Sequence, residues 1–227
     1  MLTLAPRFDR PPRLLFLGAH SDDIEIGCGA TALRLASEHP DAAVRWVVFG
    51  ATGERQREAL ASATDFLAGV TQPDIRTFEF PDAHFPTHVG EIKRAFEALK
   101  SFEPDLVLTH CGHDLHQDHR LVSELTWNTF RDHLVLEYEV PKYDGDLRSP
   151  NVFVPVTPEL CRRKAALLTR HFVTQRARDW FDDELFLGLL RIRGAECRSP
   201  TGYAEGFYGR KLVLGPSIEV PRRERSS

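Results

Sequence analysis

Short apolar runs and amphipathic stretches take turns along the first 140 residues of this chain. Residues 14–18, 44–49, 106–109 and 134–138 are nearly continuous in apolar side chains, and 75–80 is a weaker run of the same kind. Runs this short and this apolar predict strands buried on both faces. Residues 24–38, 55–68, 89–102 and 119–130 lie between or after them and predict helices. The second is rich in good helix formers, and the third carries Ile92, Phe96 and Leu99 on one face. Glu103-Pro104-Asp105 ends that third helix. Repeated strand–helix units of this length predict an α/β fold, a Rossmann-like, mostly parallel sheet with helices on both faces. Beyond residue 140 the pattern gives a loop at 141–146, a short strand at 152–156 and helices at 158–168 and 181–190. No linker or repeat separates this part. Residues 13–215 are therefore expected to form a single domain whose subregion 140–215 packs over the sheet edge. Residues 1–12, with Pro6, Pro11 and Pro12, are expected to form a flexible arm, and 216–227 a flexible tail.

Two of the apolar runs end in unusual chemistry. The first stops abruptly at His20-Ser21-Asp22-Asp23, and the fourth leads into a segment holding His110, His113, Asp114, His116, Asp118 and His119. The open end of a parallel strand is where α/β proteins place their reactive groups. Helix capping accounts for Ser21 and one carboxylate, since such residues satisfy exposed amides at a helix start. It accounts neither for the histidine before them nor for two carboxylates side by side. Four histidines within ten residues are likewise more than a solvated loop requires. Imidazole and carboxylate are the ligands that zinc takes where sulfur is absent, and a catalytic site keeps three protein ligands plus water. His116 and His119 are three apart and can face one side of a starting helix. Asp118 is placed to hydrogen-bond an imidazole and fix its tautomer. A metal-dependent hydrolase follows as the leading reading.

Composition narrows the alternatives. A chain of 227 residues, 42% hydrophobic, can bury one sizeable core. Its net charge of −4 and the absence of any long basic run leave no expected nucleic-acid partner. The short tract Arg162-Arg163-Lys164 reads as a solvated helix face. Cys28, Cys111, Cys161 and Cys197 show no paired spacing, so buried reduced thiols are expected. The N-terminus lacks a signal peptide's apolar core, and no run is long enough for a membrane span. A cytoplasmic protein is expected.

The segment Ala19-His20-Ser21-Asp22-Asp23 resembles the A-H-P-D-D motif of the PIG-L/LmbE-like zinc N-deacetylases, and His116-Gln117-Asp118-His119-Arg120 resembles their H-P-D-H motif with its following arginine. Ser21 and Gln117 stand where the family has prolines, which carry no ligand. The likeness covers about the first 130 residues, with Tyr203-Ala204-Glu205-Gly206-Phe207 similar to a late acidic-aromatic signature. It implies removal of an acetyl group from an N-acetylglucosamine-like sugar or related small amide. It further implies Zn2+ held by His20, Asp23 and His119, Asp22 as general base, and His116, oriented by Asp118, as electrophilic or general-acid partner. Self-association into a homo-oligomer is common in the family. Arg55 and Glu58 resemble the family's R-x-x-E helix element after the second strand, and Asp82 matches an aspartate that lies near the sugar there, so that Arg55 and Asp82 are the candidate substrate contacts.

Plainer readings stand beside some of these. Arg55 and Glu58 could be a surface pair on a helix, worth about 0.3–0.5 kcal/mol, and Asp82 a turn residue after Pro81. Structure is favoured for Glu58 and function for Asp82. His39, His133 and His171 read as surface or packing residues, while His84 and His88 lie in the loop after Asp82. His110 and His113 fall close to the site, where Asp114 could orient one of them. Cys111 beside His110 reads as packing. A metallo-β-lactamase-like motif around His113 has one residue too many and would leave His20, Asp22 and Asp23 unused. A Rossmann-like protein that retains a metal without turnover would carry the same ligands.

Overall fold

The computed structural model describes residues 3–213. Among them the strands are β1 (Arg13–His20), β2 (Ala43–Gly50), β3 (Asp74–Thr77), β4 (Leu106–His110), β5 (Leu134–Tyr138), β6 (Val152–Pro155) and β7 (Ala204–Gly209). The helices are α1 (Asp23–Glu38), α2 (Gly53–Phe66), α3 (Val89–Leu99), α4 (Gln117–Thr129), α5 (Pro158–His171) and α6 (Asp183–Glu196). The sheet order is β3-β2-β1-β4-β5-β7-β6. Pairing is parallel from β3 to β5, and β7 runs antiparallel to both β5 and β6. The fold is the α/β, mostly parallel architecture that the alternation predicts.

Each central strand buries both faces, and its alternate residues feed two cores. Leu14, Phe16, Trp46, Val48 and Leu108 pack with α1, α2 and Phe172 on one side. Leu15, Leu17, Val47, Phe49 and Val107 pack with α3 and α4 on the other, through Ile92, Phe96, Leu99 and Val122. Trp46 is fully buried, stacked 5.1 Å from Phe16.

Two features depart from the sequence reading. The C-terminal part does not merely cover the sheet edge. β7 and β6 extend the sheet beyond β5, and β7 was not visible as a strand because its Gly206 and Gly209 dilute the apolar pattern. The third helix ends at Leu99 and closes in a short 3-10 turn, Lys100–Phe102. In the N-terminal arm, Arg10 pairs bidentately with Asp105 at 2.9 Å. The tail expected from residue 216 lies outside the described residues.

The chain winds outward from β1 to β2 and β3, then returns to β4 and β5 on the other side. That leaves a crevice between the carboxyl ends of β1 and β4, the topological switch point at which open α/β sheets bind their ligands.

Candidate metal centre

The last residue of β1 is His20 and the last residue of β4 is His110, so both imidazoles open into the switch-point crevice. Asp22 is the cap residue of α1, and Asp23 is its first helical residue. His116 caps α4, where its Nδ1 accepts from the Asp118 N–H at 3.3 Å, and His119 follows in the first turn. Two strand ends and two helix starts thereby face each other.

Three ligand atoms form a triangle. His20 Nδ1 lies 3.2 Å from His119 Nε2, and Asp23 Oδ2 lies 3.4 Å from each. Tetrahedral coordination with bonds of about 2.0–2.1 Å sets ligand atoms ~3.3 Å apart. The residues present therefore fit a metal ion. Supporting bonds fix each donor. Asp23 Oδ2 accepts the His20 N–H at 2.6 Å. Asp114 Oδ2 lies 2.9 Å from His119 Nδ1, which assigns the proton to Nδ1 and leaves Nε2 free to ligate. Asp114 Oδ1 accepts the His116 N–H at 2.8 Å and meets Lys142 Nζ at 3.0 Å.

Charge points the same way. Asp22, Asp23, Asp82, Asp114 and Asp118 bring five carboxylates into contact with this cluster, against the two permanent cations Arg55 and Lys142. Three negative charges are left over, of which a divalent cation would offset two. Burial disfavours charge on His20, but Asp23 above all, with Asp118 and Asp82, outweighs it and holds the imidazole pKa well above its ordinary value. Burial, then the charge of Asp23, raises Asp22 to about 6, opposed by Arg55. Burial would raise Asp23, yet His119, His110 and His20 hold it well below the carboxylate range. Burial, followed by the charge of His20, lowers the pKa of His116.

The structure brings all eight sequence-predicted site residues together, although one contact differs from expectation. The Asp118 carboxylate does not orient the His116 ring. Its Oδ2 accepts from the Ala83 N–H at 2.7 Å and meets His20 Nε2 at 3.1 Å, while Oδ1 accepts from the Phe85 N–H at 3.1 Å. The first turn of α4 points the aspartate toward the 83–85 loop and leaves only its main-chain N–H for His116. The capping explanation also fails for Asp22, whose side chain makes no cap hydrogen bond. Its Oδ1 lies 3.4 Å from Arg55 Nη2, and Arg55 Nη1 reaches Asp82 Oδ2 at 3.2 Å. Asp82 Oδ1 in turn lies 3.0 Å from His20 Nε2.

Other residues separate from the cluster. Glu58 turns away from Arg55 and takes the Thr174 N–H and hydroxyl at 2.9 and 2.6 Å. His113 sits against the Tyr208 ring at 4.4 Å, and His84 Nδ1 meets the carbonyl of Asp82 at 2.9 Å. Burial pushes the Cys111 thiol up to about 12, which removes it as a nucleophile. Sequence reading left His110 and Asp114 beside the site without a fixed role and missed Lys142. His110 is wholly buried, 3.2 Å from Asp23 Oδ2 and stacked 3.9 Å from His119. Its position as the last residue of an apolar strand, equivalent to that of His20 on β1, was the available signal. Asp114 holds His119 instead of His110 or His113. Lys142 arrives from a loop with no local signature.

The family model for PIG-L, GlcNAc-PI de-N-acetylase, matches residues 15–130. Escherichia coli (strain K12) YaiS, described as an uncharacterized deacetylase, is 30% identical over 172 residues, or 70% of this chain and 89% of that one. Among solved structures, N,N′-diacetylchitobiose deacetylase from Pyrococcus horikoshii superposes with a TM-score of 0.68 at 20% identity, covering 87% of this chain and 83% of that one. GalB, the 4-carboxy-2-hydroxymuconate hydratase of Pseudomonas putida KT2440, gives 0.69 at 16% identity, covering 91% and 99%. At such identities the structural likeness shows a shared fold, and that fold carries a hydratase as well as a deacetylase. The sequence match goes further, because its span contains His20, Asp22, Asp23, Asp114, His116 and His119 together: the chain belongs to the PIG-L de-N-acetylase family.

Proposed function

We propose that the chain is a zinc-dependent hydrolase that removes an acetyl group from the amide nitrogen of an N-acetylglucosamine-like sugar or a related small amide. The observation that carries this reading is the 3.2–3.4 Å triangle of His20 Nδ1, Asp23 Oδ2 and His119 Nε2, beside a carboxylate that is left unused by capping. Zinc held by these three atoms would supply Lewis acidity and an acidified water. The remaining tasks fall to side chains. Asp22, with a pKa raised to about 6, accepts the proton of the attacking water. His116 has its Nδ1 engaged as an acceptor, so its proton resides on Nε2, from which it can donate to the developing oxyanion or the departing amine. Burial disfavours the imidazolium, and a neutral donor suffices. Arg55 holds Asp22 in place, while the exposed Asp82 is available to a sugar hydroxyl.

The direct test is release of acetate and free amine from a panel of N-acetyl sugars by the zinc-loaded protein. Bound metal without turnover on any N-acylated compound would convert the reading to a metal-retaining binding protein.

Two substitutions probe the supports. Arg55→Met should move the acid limb of kcat/KM to higher pH, because Arg55 lowers the pKa of Asp22 and its loss raises it. Measured profiles with an unmoved acid limb would remove Arg55 from this role. Asp118→Asn is expected to weaken zinc binding about 10-fold, as loss of a partner that orients a ligand does. Three groups converge on the aspartate, from Ala83, Phe85 and His20, and an amide must turn its NH2 toward one of them. Wild-type zinc affinity in this variant, by chelator competition, would contradict that account.

A further inference from the structure

Helix α1 is broken. Cys28 has φ −142° and ψ 23°, so the turn that follows Asp22 and the remainder of the helix run in different directions. In an unbroken helix the Ala30 N–H would bond the Ile26 carbonyl and the Thr31 N–H would bond that of Gly27. Here Ala30 N–H donates to Glu205 Oε1 at 2.9 Å and Thr31 N–H donates to Glu205 Oε2 at 2.7 Å. Lys164 Nζ donates to the Ile26 carbonyl at 2.6 Å and to Glu205 Oε1 at 2.7 Å. The link from Ala30 to Ile26 thus passes through an ion pair set into the helix ladder. Both charged side chains are buried, with 4% of Lys164 and 2% of Glu205 exposed. Lys164 is not the solvated group expected of the Arg162-Arg163-Lys164 tract: Arg162 and Arg163 face solvent, and Lys164 does not.

Neighbouring packing leaves the break no freedom to slide. A Cβ on Gly27 would fall 2.1 Å from the Tyr138 ring, and one on Gly29 would fall 2.7 Å from Phe66. Replacing the pair by hydrocarbon would not close the ladder. It would leave two N–H groups and a carbonyl buried and unpaired, which is costly.

This arrangement bears on the reaction centre. The Ile26 N–H donates to the Asp22 carbonyl at 3.0 Å, so the turn that carries Asp22 and Asp23 ends on the residue whose carbonyl Lys164 holds. We propose that Glu205 and Lys164 are positioning residues, an ion pair inserted into α1 that sets the direction of its first turn and so the aim of Asp22 and Asp23. Through this pair β7 and α5, elements outside the family-matched segment, reach the strand-end chemistry. The proposal rests on the metal-centre reading for one of its readouts, zinc affinity, and is independent of it for the other.

Glu205→Gln, Lys164→Met and the double substitution, which leaves no unpaired charge, are the variants. Leu99→Ala, a cavity in α3 on the far face of the sheet, is the control for lost stability. Zinc affinity by chelator competition, the thermal midpoint, and kcat and KM on an N-acetyl sugar are measured for each. The expected result for the Glu205 and Lys164 variants is about 10- to 100-fold weaker zinc binding and a fall in kcat with KM little changed. The control should lose thermal stability while keeping wild-type zinc affinity and kcat. Variants that melt earlier yet bind zinc and turn over like wild type would overturn the proposal and leave the metal reading intact. A wild type that binds no zinc, with variants that still lose kcat, would overturn the metal reading and leave the positioning role standing.

Discussion

His119→Ala is expected to strip the protein of metal and activity together. His119 Nε2 is one vertex of the ligand triangle, and Asp114 and His110 are arranged around its ring. Wild type should hold about one zinc per chain, as three converging protein ligands imply, and the variant essentially none. A metal's several kcal/mol of transition-state stabilisation corresponds to a loss of at least ~10³-fold in kcat/KM. Stability supplies a second readout. Metal bound only by the folded chain stabilises it by mass action, so a chelator should lower the melting temperature of wild type and leave that of His119→Ala unchanged. Stoichiometric zinc retained after His119→Ala would remove the proposed centre, and a chelator-insensitive wild type would remove its link to stability.

Asp22→Asn should separate chemistry from binding. Its carboxylate is no vertex of the triangle, so metal content should be unchanged, while activity falls by the ~10²–10⁴-fold typical of a general base. The pH dependence follows from the same group. A base works when ionised, and burial together with Asp23 raises the pKa of Asp22 to about 6. A bound cation favours the carboxylate and draws the value down. The wild-type acid limb should therefore lie at or below about pH 6, with kcat/KM falling as pH drops through it, and this limb should vanish in Asp22→Asn. Loss of zinc in Asp22→Asn together with its retention in Asp23→Asn would exchange the two assignments.

That His20, Asp23 and His119 would face one another was legible because each sits at a local punctuation mark, a strand end or helix start that apolar periodicity locates. Residues in such places converge whenever the strands are neighbours, and β1 and β4 pair directly. Asp118 shows where that logic stops. Its type and position suggested a partner for an imidazole, which proved correct, but the imidazole is that of His20, 98 residues away, and not that of His116, two residues away. Helical geometry tells which face a side chain leaves from and does not tell what the opposite element offers there.

Local pattern alone determined the strand–helix alternation, the parallel sheet and the two polar clusters at strand ends, because burial periodicity and strand-end chemistry are written in consecutive residues. Tertiary structure alone decided the partners of charge. Lys142 reaches Asp114 from a loop, Lys164 leaves a basic tract to meet Glu205 in the interior, and Glu205 closes on amides 174 and 175 residues away. A buried charge is held by whichever opposite charge and unpaired backbone group lie within about 3 Å of it, a distance set by packing of elements far apart in the chain.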